Sequence, residues 1–412
     1  MMKIRINPKE FKLIDFIPAL SGLIGKTALV TSFAVVWAAQ YQITTENFVF
    51  ENVRLEMIIG SIITLVAALL FQDTAPSGTL APLVVLVPTM AAFGVHPFIL
   101  GISVGLIGII AIKTRLFHKL IEMSGPVSKT GLTLTIGLSG ILLSIKDLYH
   151  FFAQNINPFI IILITLTLIY LYLFRRNKVW MIIPASAIIS LLISGAFGIL
   201  PEKIERITLP LFRPSYWWKE MWGIGFGIDP FTILKTIPFA FFVLLLWAID
   251  TVSITTMLDA NYKPGEHKEN LQLESSILVA STRNIVGVIF GGSQTSALWR
   301  SFLIPLFMVK RPLRPASILL GILGIIAGFT AIPIKLLSFA PLIWSVLLFG
   351  IFLPFTVVGF RNMISSKKRI DKTIIIASAV LGIYSSLIFT WVITTLYEVA
   401  CKYIKVRDLE EL

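Results

Sequence analysis

Of 412 residues, 56% are hydrophobic and only 14% charged, well short of the roughly one quarter that soluble domains carry, which excludes a soluble globular protein and defines a polytopic membrane protein. The net charge of +13 would point to nucleic acid in a soluble chain, but the basic residues cluster in short connections between apolar runs, where topology accounts for them, so no nucleic-acid partner is expected. The single cysteine, Cys401, excludes an internal disulfide and a cysteine-based metal site, and the scattered His96, His118, His150 and His267 make no ligand cluster, so neither metal nor cofactor is expected.

The N-terminus is short and basic (Lys3, Arg5, Lys9, Lys12), and the first apolar run covers residues 16–39. It is too long for a signal-peptide core and has no small-residue cleavage site near its end, so it is a retained span. Lys26 lies inside it. The surrounding SGLIGKT imitates the end of a phosphate-binding P-loop, but that pattern needs glycine where Leu20 stands, and a preceding strand. The reading kept for Lys26 is a charge facing the protein interior, since intramembrane charge is expensive and usually functional.

Residues 55–71 read as a plain span. The following stretch, 72–88 (QDTAPSGTLAPLVVLVP), has small polar residues, Ser77, Gly78 and Thr79, ahead of an apolar helix pattern. Pro76 and Pro82 suit the entry and first turn of a helix better than its interior. Spans follow at 97–112, closed by Lys113, Arg115 and Lys119, at 126–145, at 159–174, closed by Arg175, Arg176 and Lys178, and at 179–200. Lys129 is another basic residue within an apolar run. A polar segment, 201–230, interrupts the pattern with mixed charges and Trp217, Trp218 and Trp222. Tryptophans near a membrane boundary usually form an interfacial belt, so this segment is expected to be an extramembrane loop resting on the bilayer, with a substrate lid as the lesser reading.

The second half has spans at 231–257, which contains Asp250, and at 275–290. Residues 291–302, GGSQTSALWRSF, then run through to Val309. Two glycines and Ser293, Gln294, Thr295 and Ser296 precede the apolar part, and Arg300 lies near its middle. Bare backbone at membrane depth is tolerated only when buried in protein or lining a wet cavity. Such polar side chains can hydrogen-bond the free N–H groups of a helix that starts mid-membrane, and that start points its positive dipole end at the cavity. Arg300, expected one turn further along, adds a full positive charge. Spans at 315–332 and 336–360 follow. The apolar tail, 373–400, exceeds the roughly 20 residues needed to cross once, and Ser385 and Ser386 would divide it into two short helices.

An internal repeat is visible. GLIGIIA at 105–111 recurs as GILGIIA 216 positions later, Leu80 and Pro88 match Leu298 and Pro305, and Pro126 matches Pro341, all at similar offsets. Basic clusters after the fourth, sixth, tenth and twelfth segments, with the basic N-terminus, place those ends in the cytoplasm. This parity works if each half has seven segments. An odd number makes the repeats inverted, and inverted repeats with broken helices are characteristic of secondary transporters. The expected fold is therefore an all-α polytopic membrane protein of about 14 segments: a first repeat over 1–200, the loop 201–230, and a second repeat over 231–412.

These residues resemble the superfamily of sulfate-permease-type (SulP) anion transporters and nucleobase–cation symporters such as uracil permease. GPVSKTGLTLTIGLSG at 125–140 is similar to the P-V…G…IGLS pattern of both families. WAIDTVS puts Asp250 where they commonly have a glutamate facing the site. Arg300, in WRSF, looks like the Ser-Arg pair of the sulfate-permease branch rather than the glutamate of nucleobase symporters, and Asp15 fits the same branch. The C-terminal STAS domain of that branch is expected to be absent, since the chain ends at Leu412. The resemblance implies a core domain from segments 1–4 and 8–11, a gate domain from 5–7 and 12–14, and substrate between the third and tenth helix N-termini.

The candidate site is thus Ser77, Gly78, Thr79, Ser293, Gln294, Thr295, Ser296 and Arg300, with Asp250 for coupling and Lys26 and Lys129 as further candidates. The plainer readings are that hydroxyls within spans merely cap or join helices, and that Asp250 and Arg300 simply neutralise each other. Taking Asp250 as the one comparably deep carboxylate against three basic residues, the cavity should favour anions. The expected function is secondary transport of a small sulfate-, bicarbonate- or carboxylate-like anion, coupled to protons or another ion. A nucleobase–proton symporter is the alternative, and an anion channel comes after it. No HExxH, no metal-spaced aspartates and no Ser/His/Asp grouping favour an enzyme, and no ATP-binding motif is present. A homodimer in the cytoplasmic membrane, with both termini cytoplasmic, is expected.

Overall fold

Away from water a helix satisfies its own backbone, so long apolar runs fold as helices. The computed structural model describes residues 10–71, 73–200, 210–262, 266 and 270–410. His267 and most of the basic N-terminus lie outside these. Among the described residues eight helices are long and apolar enough to cross a membrane.

The first half comprises α1 (Phe16–Gln40), α2 (Phe48–Leu70), a 3₁₀ turn (Ala81–Leu86) leading into α3 (Val87–Ala92), α4 (Pro97–Lys113), α5 (Leu116–Glu122), α6 (Pro126–Phe151), α7 (Ile156–Arg175) and α8 (Ile182–Ala196). A π-helical turn (Tyr216–Met221) lies in the connection. The second half comprises α9 (Pro230–Asn261), α10 (Leu273–Ile289), α11 (Arg300–Val309), α12 (Leu313–Thr330), α13 (Ile332–Leu337), α14 (Ala340–Leu347), a π-helical stretch (Leu348–Phe352), α15 (Leu353–Ser365), α16 (Arg369–Tyr384) and α17 (Leu387–Glu410). The span expected at 336–360 is the continuous run Ala340–Ser365, preceded by the separate α13. The tail does divide at Ser385 and Ser386, and the Ser386 hydroxyl accepts the Ile388 N–H at 3.2 Å to start α17.

The glycines of the repeated GLIGIIA motif have a packing reason. α4 lies along α10 and α12 lies along α2. A side chain on Gly105 or Gly108 would strike Ser281 of α10, and one on Gly321 or Gly324 would strike Leu65 or Ser61 of α2. Small residues let membrane helices approach closely enough for dispersion to hold them. The same device therefore serves in both halves. The largest apolar core joins mainly α1–α4 and α9–α12. A second is built mainly from α6–α8 and α14, and a third from α6, α15 and α16.

The expected tryptophan belt is corrected. Trp217, Trp218 and Trp222 are 1%, 0% and 2% exposed and face protein rather than the bilayer surface. Trp218 and Trp222 stack with centroids 5.1 Å apart. Their indole N–H groups donate to the carbonyls of Val288 and Gly291, each at 2.9 Å. Those carbonyls belong to the end of α10 and the residues just beyond it, where the helix no longer supplies its own donors. An indole is a large apolar body with one donor, which suits that position.

Candidate functional site

The two polar stretches meet. Residues 76–80 and 295–299 run antiparallel, with Ser77 opposite Leu298. Gly78 and Leu80 donate to the carbonyls of Ala297 (2.7 Å) and Thr295 (2.9 Å), and Trp299 donates to that of Pro76 (3.0 Å). This pairing satisfies unwound backbone inside the protein, as membrane depth demands. A side chain on Gly78 would put its Cβ 2.5 Å from the Trp299 Cα, so the crossing needs glycine there. The 3₁₀ turn and α3 leave one arm of the crossing, and α11 leaves the other.

The hydroxyls do not cap these helices, contrary to expectation. Neither the Ala81 turn nor α11 has a side-chain cap, and Arg300 is the first residue of α11 rather than one turn along it. Instead the polar side chains bind the crossing to α2 and α10. Ser293 donates to Asn52 Oδ1 at 2.6 Å, and Asn52 donates to the Gly291 carbonyl at 2.7 Å. Gln294 donates to Glu56 at 2.9 Å and accepts from Thr79. Asn284 accepts the Ser296 N–H at 2.7 Å. Ser77, Thr79, Ser293, Gln294, Thr295 and Ser296 are all buried, and the hydroxyls of Ser77 and Ser296 have no hydrogen-bond partner among the described residues.

Arg300 and Asp250 form the ion pair that their positions promised, and the guanidinium also stands 5.5 Å from the Phe355 ring centre. Lys26 is 1% exposed. Its ammonium donates to the Ser77 carbonyl at 3.3 Å and lies 4.3 Å from the Trp299 ring centre. A chamber of about 30 Å³ is lined by Lys26, Thr79, Trp299, Arg300, Ser301 and Phe352, among others. It shares Ala81, Arg300 and Phe352 with a larger chamber of about 230 Å³ that reaches the Ser385–Ser386 break. Lys129 is elsewhere, at the start of α6, in a separate cavity of about 450 Å³ with Asp259 and Asp371. It does not join Arg300.

Sequence reasoning missed Glu56 and Arg283. The plain span begins earlier than expected, at Phe48, and carries Asn52, Arg54 and Glu56 inward. Glu56 pairs with Arg283 of α10, and both are buried. Asp250 is therefore not the one deep carboxylate. The signal was available, because Glu56 and Arg283 also interrupt apolar runs. No group of three or more metal-ligating side chains occurs among the described residues.

Two interrupted segments crossing beside a charged chamber, within a bundle of membrane-length helices, define a polytopic helical membrane protein. Residues 4–404 match the family described as "Protein of unknown function (DUF3360)", and the chain belongs to that family. No curated protein matches the sequence. Among solved structures, the transmembrane domain of the cyanobacterial bicarbonate transporter BicA superposes with a TM-score of 0.55 at 13% identity, covering 92% of this chain and 98% of that domain. A structure of SLC26A9 superposes at 0.54 and 12% identity, covering 97% of this chain and 66% of that one. Murine Slc26a9, described as an anion transporter in the inward-facing state, gives 0.56 at 10%, covering 97% and 70%. The chain thus spans about two thirds of the SLC26A9 chains. The chain shares the overall helical membrane fold of these structures, in keeping with the resemblance to sulfate-permease-type proteins.

Proposed function

We propose that this protein is a secondary transporter that carries a small anion across the cytoplasmic membrane, coupled to protons or another ion. The observation that carries this reading is the chamber at the crossing, where Lys26 and Arg300 face one enclosed space beside the start of α11. Buried cations at a helix N-terminus favour negative charge. The names of the structural neighbours, a bicarbonate transporter and an anion transporter, support it. In this reading α1–α4 and α9–α12 form the core of two inverted repeats, and α6–α8 with α14–α17 form the gate. Movement of one past the other gives alternating access.

The test is a thermal-shift screen of the purified protein against sulfate, bicarbonate, dicarboxylates and nucleobases. A ligand at about 100 times its Kd stabilises the folded state by about 2.7 kcal/mol. Stabilisation by one or more anions is expected. Stabilisation by a nucleobase and by no anion moves the reading to a nucleobase symporter.

Coupling is assigned to Asp250. An anion that engages the Arg300 guanidinium competes with Asp250 for it, and the freed carboxylate then takes up a proton. Asp250→Asn in proteoliposomes is expected to exchange anion for anion but to lose accumulation driven by a pH gradient. Gradient-driven accumulation that survives the substitution removes this role.

Both termini are placed in the cytoplasm by the basic flanks. Cys401, on α17, is then expected to resist impermeant maleimide in intact cells and to react in inside-out vesicles. Labelling from outside would reverse the topology.

A further inference from the structure

Charge inside a membrane protein is matched by opposite charge, because an unmatched ion there is costly. Arg54 pairs with Glu51, and Arg311 with Asp15 just before α1. Deeper in, around the crossing, the described charged groups are Lys26 on α1, Glu56 on α2, Asp250 on α9, Arg283 on α10 and Arg300 on α11. Glu56 takes Arg283, and Asp250 takes Arg300. Lys26 is left with a carbonyl and an indole ring, neither of which carries a charge. Three cations thus stand against two carboxylates, an excess of one positive charge, and the surplus residue lines the chamber.

We propose that the transported species supplies this missing charge: the site takes a monovalent anion, with Lys26 as its counter-ion, and discriminates against divalent anions. The inference rests on the transporter reading above and narrows its substrate class. While Asp250 stays ionised, a monovalent anion leaves the loaded interior neutral. A divalent one then leaves a net negative charge that no further buried cation among the described residues at the crossing matches, and it reaches neutrality only by bringing a proton to Asp250 with it. Geometry agrees with the electrostatics. Lys26 and Arg300 line the same chamber, and Arg300 Nε has no hydrogen-bond partner among the described residues, so it remains as a donor beside the lysine. The 30 Å³ chamber has room for roughly two water-sized groups, and the larger one is lined by the same Ala81, Arg300 and Phe352. An anion in either space lies beside Arg300.

The experiment measures binding by thermal shift, and uptake into proteoliposomes, for formate, acetate and bicarbonate against sulfate and oxalate at constant ionic strength. The wild type is expected to bind at least one monovalent anion tenfold or more tightly than either divalent one. Lys26→Gln and Lys26→Met are expected to lose that binding by tenfold or more. Sulfate or oxalate binding as tightly as the best monovalent anion overturns the inference, and this arm needs no variant to fold. Monovalent binding unchanged in Lys26→Gln overturns it as well. Divalent anions that bind and are transported in preference leave the transporter reading standing while removing this one. A wild type that answers only to uncharged nucleobases removes both.

Discussion

Arg300→Gln is expected to weaken anion binding roughly 10- to 100-fold, the loss of one hydrogen bond to a charged group at about 1.5–3 kcal/mol. Arg300 lines both chambers, so an anion held in either lies beside its guanidinium. Glutamine keeps a donor but removes the charge. The single variant also leaves Asp250 buried without its counter-ion, which on its own costs stability. Arg300→Gln/Asp250→Asn removes both charges and separates the two effects. Circular dichroism and melting report whether the helices stay assembled, and calorimetric titration reports the affinity. Wild-type affinity in the double variant would show that Arg300 is only a structural partner of Asp250.

The largest effect on stability is expected at Glu56→Gln. Removing one member of a buried ion pair typically costs about 3–5 kcal/mol, because the other charge stays buried and unmatched. Arg283 is the cation affected here, since it pairs with Glu56 directly. Glu56→Gln keeps an acceptor for Gln294, so the hydrogen bond to the crossing survives and the lost charge is isolated. Arg283→Met should also destabilise, because it leaves Glu56 buried without its cation. The double variant Glu56→Gln/Arg283→Met should recover most of the loss. Melting curves of all three in one detergent check the order. A double variant no more stable than Glu56→Gln alone would contradict the pairing.

Much of the site was legible because charge inside an apolar run has few explanations. Lys26, Asp250 and Arg300 stand out in the sequence on that ground alone, and the structure places all three around the crossing. The same signal applied with equal force to Glu56 and Arg283. Glu56 stands at the edge of the expected span, next to Glu51 and Arg54, and its depth shows only once the helix is seen to begin at Phe48. Lys129 carries the same signal and does not belong to the site, because α6 places it at its own first turn.

By itself the sequence determined that the chain is a helical membrane protein, where its apolar runs lie, and that two stretches, around Gly78 and Gly291, are interrupted. These are local properties: hydropathy, helix-breaking residues and spacing act over one or two turns. Only the tertiary structure decided what the interruptions and the tryptophans are for. Ser293 and Gln294 suit a helix cap as well as a bridge to α2, and the choice depends on Asn52 and Glu56, more than two hundred residues away. Trp218 and Trp222 suit a lipid boundary as well as a protein interior, since both offer apolar contact and a hydrogen-bond acceptor. The carbonyls of Val288 and Gly291, at the end of α10 and just beyond it, accept their indole N–H groups and hold them inward. A side chain's chemistry states what partner it needs, and the fold decides which partner comes within reach.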